Sequence, residues 1–173
     1  IDLILDGGSC ESGLESTIID CSGEAPVLLR PGGISRGAIE TALHSAGLHC
    51  RLRDTNALLN HGQPVAPGQL QSHYAPDASV RLNATSQQGD EELIGFGPIP
   101  GAGELSLSLS QSGNIKEAAA NLFSMLHQAN AVTTGTNRRI AIAPIPKDGI
   151  GEAINDRLQR AAAPRNEPSG ATK

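Results

Sequence analysis

Residues 9–33, SCESGLESTIIDCSGEAPVLLRPGG, decide how the first part of this chain folds. Two apolar runs, residues 17–19 and 27–29, flank Asp20, Ser22 and Gly23, a turn composition, so they read as two strands joined by a short connection. Gly13 lets the backbone turn tightly ahead of Glu15, Ser16 and Thr17. The second strand delivers Arg30, and Pro31, Gly32 and Gly33 end it at once. A planar guanidinium at a strand edge can fork onto a phosphate, and small hydroxyls beside it make a grip for an anionic substrate. The same pattern also fits an ordinary hairpin whose hydroxyls satisfy a turn and whose arginine is solvated.

Outward from this hairpin, residues 3–5 read as an earlier apolar strand and residues 36–46 as a helix. Ile39, Ala42 and Leu43 give that helix an apolar face, Ser35 caps its start and Gly47 its end. A weakly patterned segment, 48–59, precedes a stretch rich in Gln, Pro, Gly, Ser and His that marks a linker. Beyond it the pattern predicts strands at 80–82, 92–96, 104–109 and 140–143 with helices at 115–129 and 151–162, the alternation of a small parallel sheet. Ile115, Ala118, Ala119, Leu122, Phe123 and Leu126 recur at helical spacing, and Asn114 stands where it can cap the helix with Glu117 three residues on. Pro144 and Pro146 end the last strand, and the polar tail after Arg165 reads as disordered.

Composition excludes several function classes. A chain of 173 residues suits one domain or two small ones. It opens with Ile1 directly into an apolar strand, which reads as a start inside a domain, and it contains neither a secretory signal nor an apolar run long enough to span a bilayer. A formal charge of -5 argues against broad electrostatic binding to nucleic acid. The lysines are Lys116, Lys147 and Lys173, so no P-loop can lie before residue 116, and any phosphate grip there must use arginine, hydroxyls or backbone N–H groups. Cys10, Cys21 and Cys50 are odd in number and lack C-x-x-C spacing, as expected of reduced thiols. With no Trp, one Tyr and two Phe, stacking platforms for single-stranded nucleic acid are not expected.

Other candidates read blandly. The glycine loop Gly95, Gly97, Gly101, Gly103 follows a strand, but no helix starts after its second glycine, so a dinucleotide site is disfavoured against a plain loop. His44, His49, His61, His73 and His127 form no H-E-x-x-H, and His44 and His127 read as solvated helix flanks. Cys10 and Cys21 flank the ESTIID strand without a sequence neighbour to lower a thiol pKa, which favours small buried hydrophobes over nucleophiles. Tyr74, the single tyrosine, sits in the linker as either a hinge plug or a lid on a ligand. The charged last helix, with Glu152, Asp156, Arg157 and Arg160 around Ile154 and Leu158, reads as an amphipathic surface helix with a packing role.

In combination, GLESTIID (13–20), LLRPGG (28–33), SHYAP (72–76) and GEAINDRL (151–158) resemble the long, two-domain form of the YrdC-like threonylcarbamoyl-AMP synthase family. The likeness covers most of residues 1–165. It implies an α/β fold in which residues 1–62 are the C-terminal strands and helix of a YrdC-like catalytic domain, 63–78 a linker or lid, 79–165 a small Rossmann-like accessory domain with a parallel sheet, and 166–173 a tail. It implies that the parent protein joins L-threonine, bicarbonate and ATP into threonylcarbamoyl-AMP and pyrophosphate for t6A modification of tRNA. It further implies that ATP is a substrate accompanied by Mg2+, that tRNA-modification proteins are partners, and that the setting is cytoplasmic, without direct nucleic-acid or membrane binding. By position in the motifs, Ser16 and Thr17 would contact L-threonine, Arg30 the ATP phosphate or ribose, and Tyr74 the ATP from the lid. The family's basic nucleotide motif and its Ser-x-Asn segment do not occur here, so the expectation is a C-terminal portion inactive by itself. The alternative is a stand-alone regulatory or interaction module.

Overall fold

The computed structural model describes residues 2–8, 10, 12–55, 66–68, 75–99 and 107–164. β1 (Ile18–Asp20) and β2 (Val27–Arg30) pair antiparallel, Asp20 opposite Val27 and Ile19 opposite Leu28, with a bulge between Ile18 and Ile19. Asp20 starts the connection as an Asx turn, its Oδ1 accepting from the Ser22 N–H at 2.8 Å. Bonds from the Ser22 side chain and then its backbone hold the Asp20 carboxyl below the usual carboxylate range.

α1 (Arg36–Ser45) follows, with Ser35 accepting from the Ala38 N–H as expected of the cap and Gly47 in the left-handed region at φ +81. No residue of α1 is buried, and Ala42 on its expected apolar face is exposed. β3 (Arg53–Asp54) then lies parallel to β2, completing a sheet of order β1-β2-β3. It was not expected from the sequence. Two residues carry no alternation to read, and what places them is distant: Arg36 donates to the Leu52 carbonyl at 2.8 Å and Thr55 to that of Leu28. The strand expected at residues 3–5 does not form, and Leu3, Ile4 and Leu5 are 75%, 77% and 86% exposed. Apolar character alone cannot make a strand, because a ladder needs a neighbour, and none lies alongside among the described residues.

The second half builds a fully parallel sheet of order β4-β7-β5-β6 from β4 (Val80–Arg81), β5 (Glu92–Phe96), β6 (Leu107–Ser110) and β7 (Ile140–Ile142). α2 (Ile115–Thr133) crosses from β6 to β7, and α3 (Gly151–Ala161) follows β7. Asn114 accepts from the N–H groups of Lys116 and Glu117, the cap expected of it, while Glu117 turns its carboxylate to the Ser110 hydroxyl. α2 runs four residues past the expected end at 129, and the Thr133 hydroxyl bonds back to the Ala129 carbonyl at 2.8 Å before Gly135 turns the chain at φ +75.

Strand alternation sends Ile94, Leu107, Leu109, Ile140 and Ile142 to one face, where Leu122 and Leu126 of α2 and Ile154 and Leu158 of α3 close a single core. Both helices thus share one face, a two-layer arrangement in place of helices on either side. Ala118, Ala119 and Ala129 let α2 approach the sheet closely, and all three are at most 2% exposed. Leu93 and Ala141 point to the opposite face, against Ala84 and Ile99. The connection into α3 is tied by Asn155, whose side-chain amide donates to the carbonyls of Ile145, Pro146 and Gly151.

Candidate functional site

Of the hydroxyls that the hairpin pattern groups with the arginine, that of Ser16 meets it. Arg30 donates from Nε to the Ser16 carbonyl at 3.1 Å, from Nη2 to the Ser16 Oγ at 3.1 Å, and from Nη1 to the carbonyl of Pro67 in the linker at 3.2 Å. Among the described residues three N–H groups of the guanidinium are so engaged, which leaves two for a ligand. Ser16 accepts from Arg30, which leaves its own O–H to donate, beside a positive charge and on an exposed edge. Thr17 is used differently: its hydroxyl donates to the Ile34 carbonyl at 2.7 Å and accepts from the Ile34 N–H at 3.1 Å. One lone pair is left on it, so Thr17 shapes the loop after β2 and meets a ligand only as an acceptor.

Two glycines make this packing possible. A Cβ on Gly32 would lie 2.4 Å from the Glu15 carbonyl oxygen and 2.4 Å from the Thr17 nitrogen, so the β2 loop can press on residues 15–17 only without a side chain there. Gly13, at φ +54, lies so close to α2 that a Cβ would meet the Ala119 carbonyl oxygen at 2.4 Å.

Charge joins the hairpin to the far half of the chain. Arg157 of α3, 1% exposed, donates from Nε and Nη2 to the Glu15 carboxylate, both at 2.9 Å, and from Nη1 to Asp156 at 2.7 Å. Arg160 holds Asp156 from the other side at 3.0 Å. A second link runs from Arg36 of α1 to Glu152 of α3 at 2.8 Å and to Asp54 at 2.6 Å. Its hydrogen bonds to Glu152, foremost, hold the Arg36 guanidinium even more firmly protonated than usual. α3 is therefore more than a surface helix: Gly151, Ala153, Ile154, Arg157, Leu158 and Ala161 are buried. Glu15 and Arg157 escape the sequence reading, yet a signal exists, because Arg157 falls in the apolar stripe with Ile154, Leu158 and Ala161, at i+3 from Ile154.

Tyr74 and His73 lie outside the described residues, as do Gly101, Gly103 and His61. Cys10 and Cys21 are exposed, which corrects their expected role as buried hydrophobes: Cys10 precedes the packed segment and Cys21 sits in the solvent-facing turn. His44 and His49 lie edge to face on the surface with ring nitrogens 2.9 Å apart. Among the described residues no group of three His, Cys, Asp or Glu side chains is placed to hold a metal ion, and no helix is long and apolar enough to cross a membrane.

Residues 34–163 match the family described as threonylcarbamoyl-AMP synthase, C-terminal domain. The chain belongs to this family. It is 30% identical over 177 residues to the threonylcarbamoyl-AMP synthase of Bacillus subtilis, covering 94% of the chain and 49% of that protein. It is 31% identical over 182 residues to that of Pyrococcus abyssi, covering 95% of the chain and 50% of the relative. The crystal structure of P. abyssi Sua5 complexed with L-threonine superposes with a TM-score of 0.68 at 27% identity, over 91% of the chain and 48% of the other. The chain thus spans about half the length of the threonylcarbamoyl-AMP synthases it matches. Ser16 and Arg30 precede residues 34–163, the stretch that matches the family's C-terminal domain, whereas Arg157 lies inside it, so the ion pair with Glu15 crosses the edge of that match.

Proposed function

We propose that the chain is the C-terminal part of a threonylcarbamoyl-AMP synthase and that Ser16 and Arg30 form one wall of its L-threonine and ATP site. The observation that carries this reading is the three-point hold of Arg30 on Ser16 and Pro67, which sets a hydroxyl donor and two spare guanidinium N–H groups side by side. The likeness to a protein solved with L-threonine supports it. An amino acid offers a carboxylate that these groups would take, Ser16 as donor and Arg30 as charge.

In the proposed reaction the L-threonine amine attacks CO2 derived from bicarbonate, losing a proton to form a carbamate. A carbamate oxygen then attacks the α-phosphorus of ATP, and the bond to the bridging oxygen of pyrophosphate breaks. Such a transfer depends on positioning and neutralised charge and needs no covalent enzyme nucleophile. Arg30 would serve both substrates, as the L-threonine carboxylate and the ATP phosphates converge on its free edge, and Thr17 would fix the loop that carries it. Mg2+ would be carried on the nucleotide phosphates and would supply neutralising charge there.

The linker contact at Pro67 supports Tyr74 as a lid, since it brings the linker onto the site seven residues earlier. P. abyssi Sua5 has also been solved with an adjacent His and Tyr both changed to Ala, and the single tyrosine of this chain follows His73. Bicarbonate as a substrate, tRNA-modification partner proteins and a cytoplasmic setting without direct nucleic-acid binding complete the proposal. The test is mass-spectrometric detection of threonylcarbamoyl-AMP formed from L-threonine, bicarbonate and ATP by the complete protein containing this chain. Product is expected from the unmodified protein and a loss of about 100-fold in rate from Arg30→Ala, in line with removal of a charged donor from a transition-state site. Absence of the product, or full activity in Arg30→Ala, would overturn the assignment.

A further inference from the structure

We infer that Arg157 is a positioning residue, through which the family's C-terminal domain holds the proposed L-threonine wall in its binding shape. This rests on the functional reading of Ser16 and Arg30. Residues 13–15 are fastened to the C-terminal half by three different means: Gly13 lies against the α2 backbone, Leu14 packs on the core of the four-stranded sheet, and Glu15 takes both donors of Arg157. Ser16 is the next residue and the one that faces Arg30. On its other side the Glu15 carbonyl accepts from the Gly33 N–H at 3.1 Å. Glu15 is therefore clamped by backbone toward the loop after β2 and by side chain toward α3.

The clamp is rigid because Arg157 is buried and its charge is matched. It spends Nε and Nη2 on Glu15 and Nη1 on Asp156, which Arg160 holds in turn. Nε and Nη2 converge on one oxygen of Glu15, Oε2, so the planar guanidinium sets where that oxygen lies, and the Ser16 Oγ depends on its place through one intervening backbone unit. A lysine can supply the charge but only from a single point. The pair between Arg36 and Glu152 spans the same halves yet starts on α1, with Arg36 bonded to Glu152, Leu52 and Asp54 and to neither Glu15 nor Ser16, and so serves as the control for a merely structural bond.

The experiment uses the complete protein and measures L-threonine affinity by calorimetry together with amide exchange at residues 15–17 without ligand. Arg157→Lys is expected to weaken L-threonine about fivefold and speed that exchange about tenfold, whereas Arg36→Lys leaves both within about twofold. Arg157→Met, where it folds, is expected to weaken binding more than about tenfold. Unchanged affinity and exchange in Arg157→Lys, or equal changes in Arg36→Lys, would overturn the inference. Should the unmodified protein bind no L-threonine, the functional reading falls, and the exchange at residues 15–17 still decides whether Arg157 orders this segment.

Discussion

In the four-stranded half, Ile94, Leu122, Ile140, Ile142 and Ile154 are each at most 1% exposed and close one core, whereas in the three-stranded half α1 buries no residue and Leu3, Ile4 and Leu5 stand in solvent. The proposed ligand groups, Ser16 and Arg30, sit in the half with little core. What orders them is contact with the other half, through Gly13, Leu14 and the ion pair from Glu15 to Arg157. One half acts as scaffold and the other as a wall fastened to it. Loops and edges that must meet a ligand cannot also be packed away, so support arrives from a rigid neighbour.

Substitutions should separate the two halves. Leu122→Ala, in the closed core, is expected to cost about 3 kcal/mol in urea unfolding, because transfer and cavity terms add where the surroundings cannot collapse. Leu43→Ala in α1, which is only partly buried, is expected to cost less, about 1 kcal/mol. Equal costs would break the distinction. Next in size is Arg36→Met, which cuts the link to Glu152; with the side chains 26% and 32% exposed, screening limits the loss to about 1 kcal/mol. Its expected signature is earlier unfolding of the three-stranded half, followed by amide exchange, with protection of β5 and β7 unchanged.

The gentlest handle is acid. Glu91 is buried and accepts from Arg81, Nε to Oε1 at 3.0 Å, and from the Gln88 N–H at 3.0 Å; the Arg81 bond is the main cause of its lowered pKa. The unfolded chain takes up that proton more readily than the folded one, so this pair's contribution is complete above about pH 5 and fades as pH falls through the lowered folded value. Glu91→Gln is expected to flatten the acid limb of stability against pH in the four-stranded half. A steep limb that survives the substitution would assign it to other carboxylates.

Much of this was readable from the chain, for physical reasons that differ by residue. Strand β5 and the start of α2 follow from local periodicity and from the Asn114 cap, signals contained within a few residues. The meeting of Ser16 with Arg30 follows from hairpin registry, since Ile18 pairs with Arg30. The strand expected at residues 3–5 failed because pairing is a property of two segments, and β3 went unseen because Arg36 and Thr55 place it from afar. The bond from Arg157 to Glu15 spans 142 positions, beyond any local pattern, although an arginine in an apolar stripe marks a buried partner.

In the proposed enzyme this chain supplies one wall of the site and the scaffold behind it. The most direct test of that role is L-threonine- and bicarbonate-dependent pyrophosphate release from ATP, measured for residues 1–173 alone and for the complete protein. Release is expected from the complete protein and none above background from the 173 residues. Sustained turnover by the isolated chain would contradict it.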